Sequence, residues 1–341
     1  MNDADGASDR RYAGLEGRPV LVTGAGGFIG GHLVERLVRE GARVRAMVHY
    51  NSRGERGTLD WLDPDVVANV EVAAGELRDS ESVATAVSGV EVVFHLGAQI
   101  AIPYSYVNPR DFFETNVLGS LNVAQAARSA GVRRVIHTST SEVYGTAQQI
   151  PITEDHPLQP QSPYAASKVG ADTLMHSFHR SYELPVTVLR PFNTYGPHQS
   201  ARAIIPTIVS QALAGGPLRL GSTDPRRDLT FVADTVEGFL AAAESPAAIG
   251  QTVQIGTERD VSVQEIVEVV GDILGRQLVV ELDPGRVRPE ASEVMRLVAS
   301  PRRARELMRW EPRVDLRTGL ARTIDWIERS PQRFRTEQYA I

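Results

Sequence analysis

Apolar runs of strand length alternate with amphipathic helical patterns along the first 190 residues of the chain. A buried strand reads as a short apolar run, whereas a helix repeats apolar residues every three or four positions. Strict alternation of the two is typical of a Rossmann-like α/β fold, a doubly wound parallel sheet with helices on both faces. The pattern predicts strands over Pro19–Thr23, 44–48, 70–73, 90–95, 132–139 and 186–190, and helices over 29–40, 80–88, 112–130 and 163–181.

Beyond residue 190 the alternation loosens, and the pattern predicts a smaller C-terminal α/β lobe. Helical patterns lie at 203–214, 234–244, 263–274 and 317–327, and strand-like runs lie at 252–255 and 278–282. We therefore divide the chain into a flexible leader (1–17), a dinucleotide-binding domain (18–190), a mainly substrate-binding lobe (191–330) and a tail (331–341). The sequence leaves open whether segments of this lobe are interleaved with the main sheet.

The composition is that of an ordinary globular protein, with 42% hydrophobic and 23% charged residues. No run approaches the ~18 uncharged apolar residues of a membrane helix, and the first 18 residues lack the features of a signal peptide. The absence of cysteine excludes disulfides, thiolate metal sites and cysteine nucleophiles. A net charge of −6 argues against nucleic-acid binding. We expect a cytoplasmic protein that binds no metal, nucleic acid or membrane.

A glycine-rich turn follows the first predicted strand, with glycines at positions 24, 27 and 30. Glycine permits a tight turn, lets a pyrophosphate approach the backbone, and allows the helix to pack closely on the strand. The N-terminus of the following helix offers free N–H groups and a positive dipole to an anion. The turn predicts a dinucleotide site made by Gly24, Gly27, Phe28, Ile29 and Gly30.

Tyr164 and Lys168 are four residues apart at the start of a predicted helix, so their side chains share one face. Ser162 is the expected cap of this helix, and Pro163 occupies its first turn. An ammonium beside a phenol favours the phenolate. We therefore expect a lowered pKa that makes Tyr164 a usable base near neutral pH.

Polar residues end the strand that precedes this helix, in the run Thr138-Ser139-Thr140-Ser141-Glu142. The carboxyl ends of parallel strands are where open α/β sheets bind their ligands. Thr140 can donate a hydrogen bond to a substrate oxygen, and Glu142 can remove or return a proton.

Thr140, Tyr164 and Lys168 together resemble the catalytic triad of the extended short-chain dehydrogenases/reductases, the NAD-dependent epimerase/dehydratase family. The glycine spacing also resembles that of short-chain dehydrogenases, and the likeness covers residues 18–330. It implies NAD as cofactor and a nucleotide-diphosphate sugar as substrate. It further implies cofactor contacts from Glu76, Leu77, Leu96, Ala98, Asn116, Tyr164 and Lys168.

The end of the second predicted strand departs from NAD-binding relatives, which usually carry an acidic residue there to hold the adenosine ribose. The position is Val48 in this chain, followed by His49-Tyr50-Asn51-Ser52-Arg53. Without a carboxylate nothing repels a 2′-phosphate, and His49 or Arg53 could pair with one. The sequence therefore predicts NAD and leaves NADP open.

The run Thr140-Ser141-Glu142-Val143-Tyr144-Gly145 narrows the resemblance. Sugar-nucleotide 4,6-dehydratases carry Asp-Glu or Ser-Glu at positions 141 and 142, whereas 4-epimerases of the family commonly carry a small or neutral residue at 142. UDP-glucuronate decarboxylases share Ser-Glu, so the motif alone does not separate them from dehydratases.

Three longer segments, 100–106, 191–197 and 199–206, resemble the amino-sugar 4,6-dehydratases of legionaminic-acid-type pathways. This likeness implies that Asn116 is the asparagine of the active-site helix. It also implies that Asn193, Arg227 and Arg288 hold the nucleotide diphosphate, for which the planar fork of arginine is suited. The further expected substrate contacts are Tyr104, Arg202 and Ile205.

The resemblance implies a 4,6-dehydration. Tyr164, assisted by Lys168, would take the proton of the sugar 4-hydroxyl while hydride passes to the nicotinamide, with Thr140 bonded to the same oxygen. Glu142 would remove the C5 proton as the 6-hydroxyl leaves, and hydride would return to C6. Ser141 stands where some dehydratases carry an aspartic acid, so Glu142 or a water must protonate the leaving group.

Two alternatives stay open at this stage. Within the fold, the chain could be a UDP-glucuronate or UDP-hexose 4-epimerase or a UDP-glucuronate decarboxylase. From another class, it could be a non-catalytic binding member of the superfamily, although such a member would be expected to lose Tyr164 and Lys168. The predicted helices at 112–130 and 163–181 are rich in small residues. This composition predicts a two-fold homodimer in which the helices pack against their copies, as in related enzymes. The alternative is that they are buried against the chain's own sheet.

Overall fold

The computed structural model describes residues 12–286 and 294–330. Its strands are β1 (Pro19–Thr23), β2 (Arg43–His49), β3 (Val70–Gly75), β4 (Val92–His95), β5 (Arg134–Thr138), β6 (Val186–Pro191), β7 (Asn193–Tyr195), β8 (Leu218–Leu220), β9 (Arg226–Phe231), β10 (Thr252–Ile255), β11 (Asp260–Ser262), β12 (Val280–Leu282) and β13 (Arg296–Leu297). Its α-helices are α1 (Phe28–Arg39), α2 (Pro64–Val67), α3 (Ser80–Val87), α4 (Ile102–Val107), α5 (Pro109–Phe112), α6 (Gly119–Ser129), α7 (Pro163–Tyr182), α8 (Ile204–Ala214), α9 (Val232–Glu244), α10 (Val263–Leu274), α11 (Arg302–Met308) and α12 (Leu316–Arg329). None of the helices in these two stretches is long and apolar enough to cross a bilayer.

Seven parallel strands form the central sheet, in the order β10-β6-β5-β4-β1-β2-β3. The strand order reverses between β1 and β4. Open α/β folds bind their ligands beyond the carboxyl ends of the strands at such a reversal. The predicted Rossmann-like doubly wound sheet is confirmed.

The two faces of the sheet are buried by alternate residues of each strand. Val20 and Val22 of β1 pack with Leu33 and Leu37 of α1 in one apolar cluster. Leu21 points to the other face and packs with residues of α3, α6 and α7. Because both faces are covered, the central strands read as continuous apolar runs and not as alternating ones.

The predicted helix over 112–130 is interrupted in the structure. α5 ends at Phe112, a wider π-helical turn spans Phe113–Leu118, and α6 begins at Gly119. Such turns are rare and occur mostly at functional sites. This turn carries Asn116. A local change of helical pitch leaves the apolar spacing almost unchanged, which is why the sequence predicts one continuous helix.

Residues beyond Pro191 contribute to both parts of the molecule. β7, β9, β11 and β13 form a small sheet, and β8 pairs with β12. However, β10 returns to the central sheet beside β6, and α9 packs on α1. The chain after residue 190 is thus interleaved with the first part, and the domain boundary drawn there stays a prediction.

The last part of the predicted flexible leader belongs to the fold. Tyr12 and Leu15 are buried in the main apolar cluster. The Tyr12 backbone N–H donates to Glu40 Oε2 (2.8 Å), and its hydroxyl donates to Glu237 Oε2 (2.9 Å). The leader prediction is therefore wrong for residues 12–17, because two apolar side chains in a polar segment suffice to anchor it. Residues 1–11 and the predicted tail, 331–341, lie outside the described chain.

Candidate active site

The glycine turn lies at the carboxyl end of β1, beside the loop that follows β4. Gly24 has a φ of +68°, and a Cβ at this position would lie 2.7 Å from Cα of Gly97. A Cβ on Gly30 would overlap the carbonyl oxygen of Gly24. Only glycine at these two positions lets the turn pack against both the helix and the neighbouring loop.

The N-terminus of α1 opens at this turn without a side-chain cap. Gly27 is the N-cap residue, so no side chain bonds the first-turn N–H groups, which begin with Phe28 and Ile29. Thr58 fixes the turn by donating from its backbone N–H to Gly26 O (2.9 Å) and from Oγ1 to Gly27 O (2.7 Å). A fixed turn before a helix N-terminus without a side-chain cap fits the pyrophosphate of a dinucleotide.

Other predicted cofactor residues line the same edge of the sheet. Leu96 and Ala98 flank Gly97 in the loop after β4, and the side chain of Leu77 packs onto Gly97 from the segment after β3. Apolar side chains beside a phosphate-binding turn are suited to a nucleoside. The structure therefore brings these residues together with the glycine turn.

The basic residues at the end of β2 have acidic neighbours. His49 Nδ1 lies 3.4 Å from Glu76 Oε2. Arg53 is 80% exposed, and its Nη1 lies 3.6 Å from Glu55 Oε1. A 2′-phosphate would have to compete with these carboxylates for both cations. This end of the site therefore fits NAD better than NADP.

A 3₁₀ turn at the carboxyl end of β5 carries Thr140, Ser141 and Glu142. Thr140 is the N-cap, and its Oγ1 accepts a hydrogen bond from the backbone N–H of Glu142 (3.2 Å). Ser141 is buried and Glu142 is half-buried. The start of α7 lies close to this turn. As predicted, Ser162 caps that helix by accepting a backbone hydrogen bond (3.1 Å), and Pro163 is its first residue.

Tyr164 is buried in the first turn of α7 and forms a hydrogen bond with the side chain of Thr140. Its ring packs edge-on against Phe112, with 6.3 Å between the centroids. Burial raises the pKa of Tyr164, the bond with Thr140 lowers it, and the charges of Glu142 and Asp172 raise it, so the net shift is upward. The predicted lowering of this pKa is therefore wrong, because burial disfavours the phenolate.

Lys168 is the only lysine among the 36 lysine and arginine residues of the chain. It is buried one helical turn after Tyr164, and its Nζ donates to the carbonyl oxygen of Thr138 (2.6 Å). Burial lowers the pKa of Lys168 to about 8, although the charge of Asp172 raises it. Arginine does not release its proton in proteins. The one lysine side chain thus stands in the candidate site, a signal that our sequence analysis missed.

A buried carboxylate, Asp172, lies one further turn along α7. Its Oδ2 accepts hydrogen bonds from Ser139 Oγ (2.6 Å) and from Arg190 Nη2 (2.9 Å). His137 Nε2 lies 3.3 Å from the other oxygen, Oδ1. Asp172 was not among the site residues predicted from the sequence. Its spacing of four residues from Lys168 was the available signal.

The side chain and the backbone carbonyl of Asn116 form hydrogen bonds with other parts of the protein. Its Oδ1 accepts from the Gln99 backbone N–H (2.7 Å), and its Nδ2 donates to Gln99 O (2.9 Å) and to Ser167 Oγ (2.9 Å). Its backbone carbonyl accepts from Ser120 Oγ (2.6 Å). The side chain ties the loop after β4 to α7. The cofactor contact that the resemblance implied for Asn116 stays a prediction.

The residues predicted to bind substrate lie in different surroundings in the structure. The ring of Tyr104, on α4, lies 6.2 Å from that of Phe112, which contacts the phenol described above. Arg202 is exposed in the segment before α8. Ile205 is buried in the main apolar cluster, so its side chain packs within the protein and offers no surface to a substrate. Arg288 lies outside the described residues.

Asn193 and Arg227 lie on neighbouring strands of the small sheet. Asn193 of β7 pairs in parallel with Leu229 of β9, and Arg227 precedes Leu229 by two residues, which places all three on one face. The Oδ1 atom of Asn193 is buried and has no hydrogen-bond partner among the described residues. Buried polar atoms are almost always bonded, so this atom fits a donor group of a ligand.

Comparison with known proteins places these features in a family. The model of the GDP-mannose 4,6 dehydratase family matches residues 21–323. The chain is 34% identical to a UDP-glucose 4-epimerase of Mycolicibacterium smegmatis, over 92% of this chain and 99% of the relative. It is 30% identical to a dTDP-glucose 4,6-dehydratase of Xanthomonas campestris pv. campestris, over 90% and 92%. The structure of DesIV, a dTDP-glucose 4,6-dehydratase from Streptomyces venezuelae with NAD and TYD bound, aligns with a TM-score of 0.84 at 31% identity, covering 93% of this chain and 98% of that one.

Proposed function

Because the chain belongs to the GDP-mannose 4,6-dehydratase family of NAD-dependent nucleotide-sugar dehydratases and epimerases, we propose that it is a nucleotide-sugar 4,6-dehydratase. Its product would be a 4-keto-6-deoxy sugar nucleotide. The observation that carries this choice is Glu142, a carboxylate on the same turn as Thr140 whose charge acts on the phenol of Tyr164. Oxidation at C4 needs one base, whereas elimination across C5 and C6 needs a second one.

The first step uses the pair on α7. Tyr164 accepts the proton of the sugar 4-hydroxyl through Oη, and Thr140 donates a hydrogen bond to the same oxygen. The raised pKa of Tyr164 means that its phenolate needs a nearby positive charge. We assign that charge to Lys168, which is buried one helical turn further along α7. NAD held at the glycine turn of Gly24, Gly27 and Gly30 would supply a hydride acceptor for C4 and a hydride donor for C6.

The second step uses the turn after β5. The 4-keto group acidifies the C5 hydrogen, and the Glu142 carboxylate removes that proton. The C6–O bond breaks, and the departing hydroxyl leaves as water after taking from the Glu142 carboxyl the proton that it removed from C5. Ser141 is buried and has no acidic proton to give. Glu142 is therefore the one protein carboxylate assigned to both proton transfers.

A Glu142→Gln variant tests this assignment. The amide cannot accept the C5 proton, so formation of the 4-keto-6-deoxy product should fall by about 10²–10⁴-fold. Oxidation at C4, followed by the absorbance of reduced nicotinamide, should persist. The assay uses dTDP-, UDP-, GDP- and CDP-hexoses with mass detection of the loss of water.

The matched control is Glu154→Gln, which removes a carboxylate outside the proposed mechanism. Glu154 accepts a hydrogen bond from the Gln254 backbone (3.0 Å), and its Oε2 lies 3.7 Å from Arg303 Nε. This control should keep its turnover. Full dehydration by the Glu142→Gln variant would contradict the assignment.

A second candidate function is 4-epimerisation, with decarboxylation of UDP-glucuronate beside it. The relative with 34% identity is named a UDP-glucose 4-epimerase, and Ser141 replaces the aspartic acid that some dehydratases carry. A 4-keto uronate loses carbon dioxide without a base at C5. Incubation with UDP-glucose and UDP-glucuronate separates the candidates. A C4-inverted sugar or a pentose, without loss of water, would favour this second reading.

We further propose that the enzyme is a homodimer. Phe113 and Leu118 are large apolar side chains exposed on the π-helical turn, and this turn packs on α7. Apolar surface of this kind is typical of a subunit interface.

A Leu118→Arg variant should sediment as a single chain. Val279→Arg, which alters an exposed apolar residue beyond α10, should leave the dimer intact. A wild-type mass of one chain would contradict the proposal.

A further inference from the structure

Lys168 and Asp172 form an uncommon pair, an ammonium and a carboxylate that are both buried within one helical turn of each other. They lie on the same face of α7, and each is less than 5% exposed. Burying a charge is unfavourable unless another charge compensates it. The lysine donates to the Thr138 backbone carbonyl, which is neutral. Its charge is therefore compensated from elsewhere.

The carboxylate of Asp172 is fixed in place from two strands. Arg190 on β6 donates to Oδ2 from both Nη2 (2.9 Å) and Nε (3.2 Å), and Ser139 after β5 donates to the same oxygen (2.6 Å). Arg190 is itself held by the hydroxyl of Tyr144, at 3.0 Å from Nη1. Burial raises the pKa of Asp172, but the contact with His137 and the charge of Arg190 hold it well below its usual range. The carboxylate is thus charged at neutral pH.

Two histidines near this pair are neutral. Burial keeps the pKa of His95 well below its ordinary value and lowers that of His137 to about 4. Among the described residues, Asp172 is the anion whose charge raises the pKa of Lys168. The other titratable or charged groups around the pair are Arg190 on β6, Glu142 in the turn after β5, and Tyr164 and His176 on α7.

We propose that Asp172 is a positioning residue for Lys168. The buried carboxylate of Asp172 keeps the lysine ammonium charged one helical turn from Tyr164. This inference rests on the proposed function only in that the ammonium serves the phenol during turnover. Arg190 and Ser139 fix the carboxylate, so the negative charge stays at one distance from the lysine. Without that carboxylate no opposite charge would offset the burial of the lysine, and the ammonium would lose its proton at a lower pH.

The single lysine allows a direct test on the full-length protein. Protein made with isotope-labelled lysine gives one side-chain signal, whose chemical shift follows the protonation of Lys168. In Asp172→Asn the pKa of Lys168 should fall by about one to three units, the usual effect of an adjacent charge. The alkaline limb of kcat should move to lower pH by the same amount.

Ser139→Ala is the matched control, because it removes a hydrogen bond to Oδ2 of Asp172 and keeps the charge. It should leave the pKa of Lys168 within a few tenths of a unit.

An unchanged pKa of Lys168 in Asp172→Asn would overturn the proposal, and an equal fall in Ser139→Ala would show a merely structural effect and overturn it as well. If Asp172→Asn does not fold, Arg190→Gln takes its place. It removes the cation that pairs with the Asp172 carboxylate and keeps that carboxylate, so the pKa of Lys168 should rise, and a fall or no change would contradict the proposal. The signal is read without turnover. A wrong reaction assignment would therefore alter the kinetic profile and leave this result standing.

Discussion

Replacing Tyr164 with phenylalanine should lower kcat by about 10²–10⁴-fold, the usual contribution of a general acid–base group. The ring would keep its edge-on contact with Phe112, so the shape of the site should survive. What disappears is the one oxygen that can take the proton of the sugar 4-hydroxyl. Binding of NAD and of the nucleotide sugar, measured by calorimetry, should change by less than about threefold, because the loss falls on the transition state.

A second buried tyrosine provides the control for this variant. Tyr195 donates its hydroxyl to the backbone carbonyl of Leu316 (3.3 Å) within the core. Tyr195→Phe should cost about 1 kcal/mol of unfolding free energy and leave kcat nearly unchanged. If Tyr164→Phe kept most of its turnover, the assignment of the base would be wrong.

Replacing Lys168 with arginine should lower kcat by at least about 10²-fold, although the positive charge is conserved. The ammonium fits a buried space in which it donates to the carbonyl of Thr138. The planar guanidinium is larger and presents its donors in a different geometry. A variant with wild-type kcat would show that the site needs only a charge.

The ionisation of Lys168 predicts how kcat depends on pH. The pKa of Lys168 is about 8, so the ammonium is present below this pH and is lost above it. Wild-type kcat should therefore fall as the pH rises through about 8. Lys168→Arg should lack this limb, because arginine stays protonated.

Unfolding would not explain that loss of activity. In the unfolded chain Lys168 regains its ordinary pKa of 10.5. Between about pH 8 and 10.5 the unfolded state binds the additional proton, so the contribution of Lys168 to the unfolding free energy increases with pH in this window. Activity and this contribution to stability should move in opposite directions. A thermal unfolding series across the window checks the sign.

Much of the fold could be predicted from the chain because local rules act in the same direction. The first strand, Pro19–Thr23, and the helix Val263–Leu274 have the predicted bounds. A buried parallel strand is a plain apolar run, and an amphipathic helix with a capping box is defined by residues close in sequence. The glycine turn was predictable for the same reason, since backbone space at Gly24 and Gly30 is decided by near neighbours.

The parts that escaped prediction depend on contacts between distant segments. Asp172 gains its role from Ser139 and Arg190, which lie on other elements and carry no motif of their own. The upward pKa shift of Tyr164 comes from burial, which spacing on a helix cannot show. Ile205 looked like a ligand contact within a family-like segment, but the packing of α8 buries it. Residues of the C-terminal lobe depend on such packing throughout.

The central claim is transient oxidation of the sugar at C4 with the hydride retained, and an isotope experiment tests it most directly. A nucleotide hexose carrying deuterium at C4 is converted by the enzyme, and the product is examined by mass and NMR spectroscopy. The deuterium is expected at C6 of a 4-keto-6-deoxy sugar. Deuterium that stays at C4 of unchanged substrate after long incubation with all four nucleotide classes, or that is lost to solvent, would contradict it.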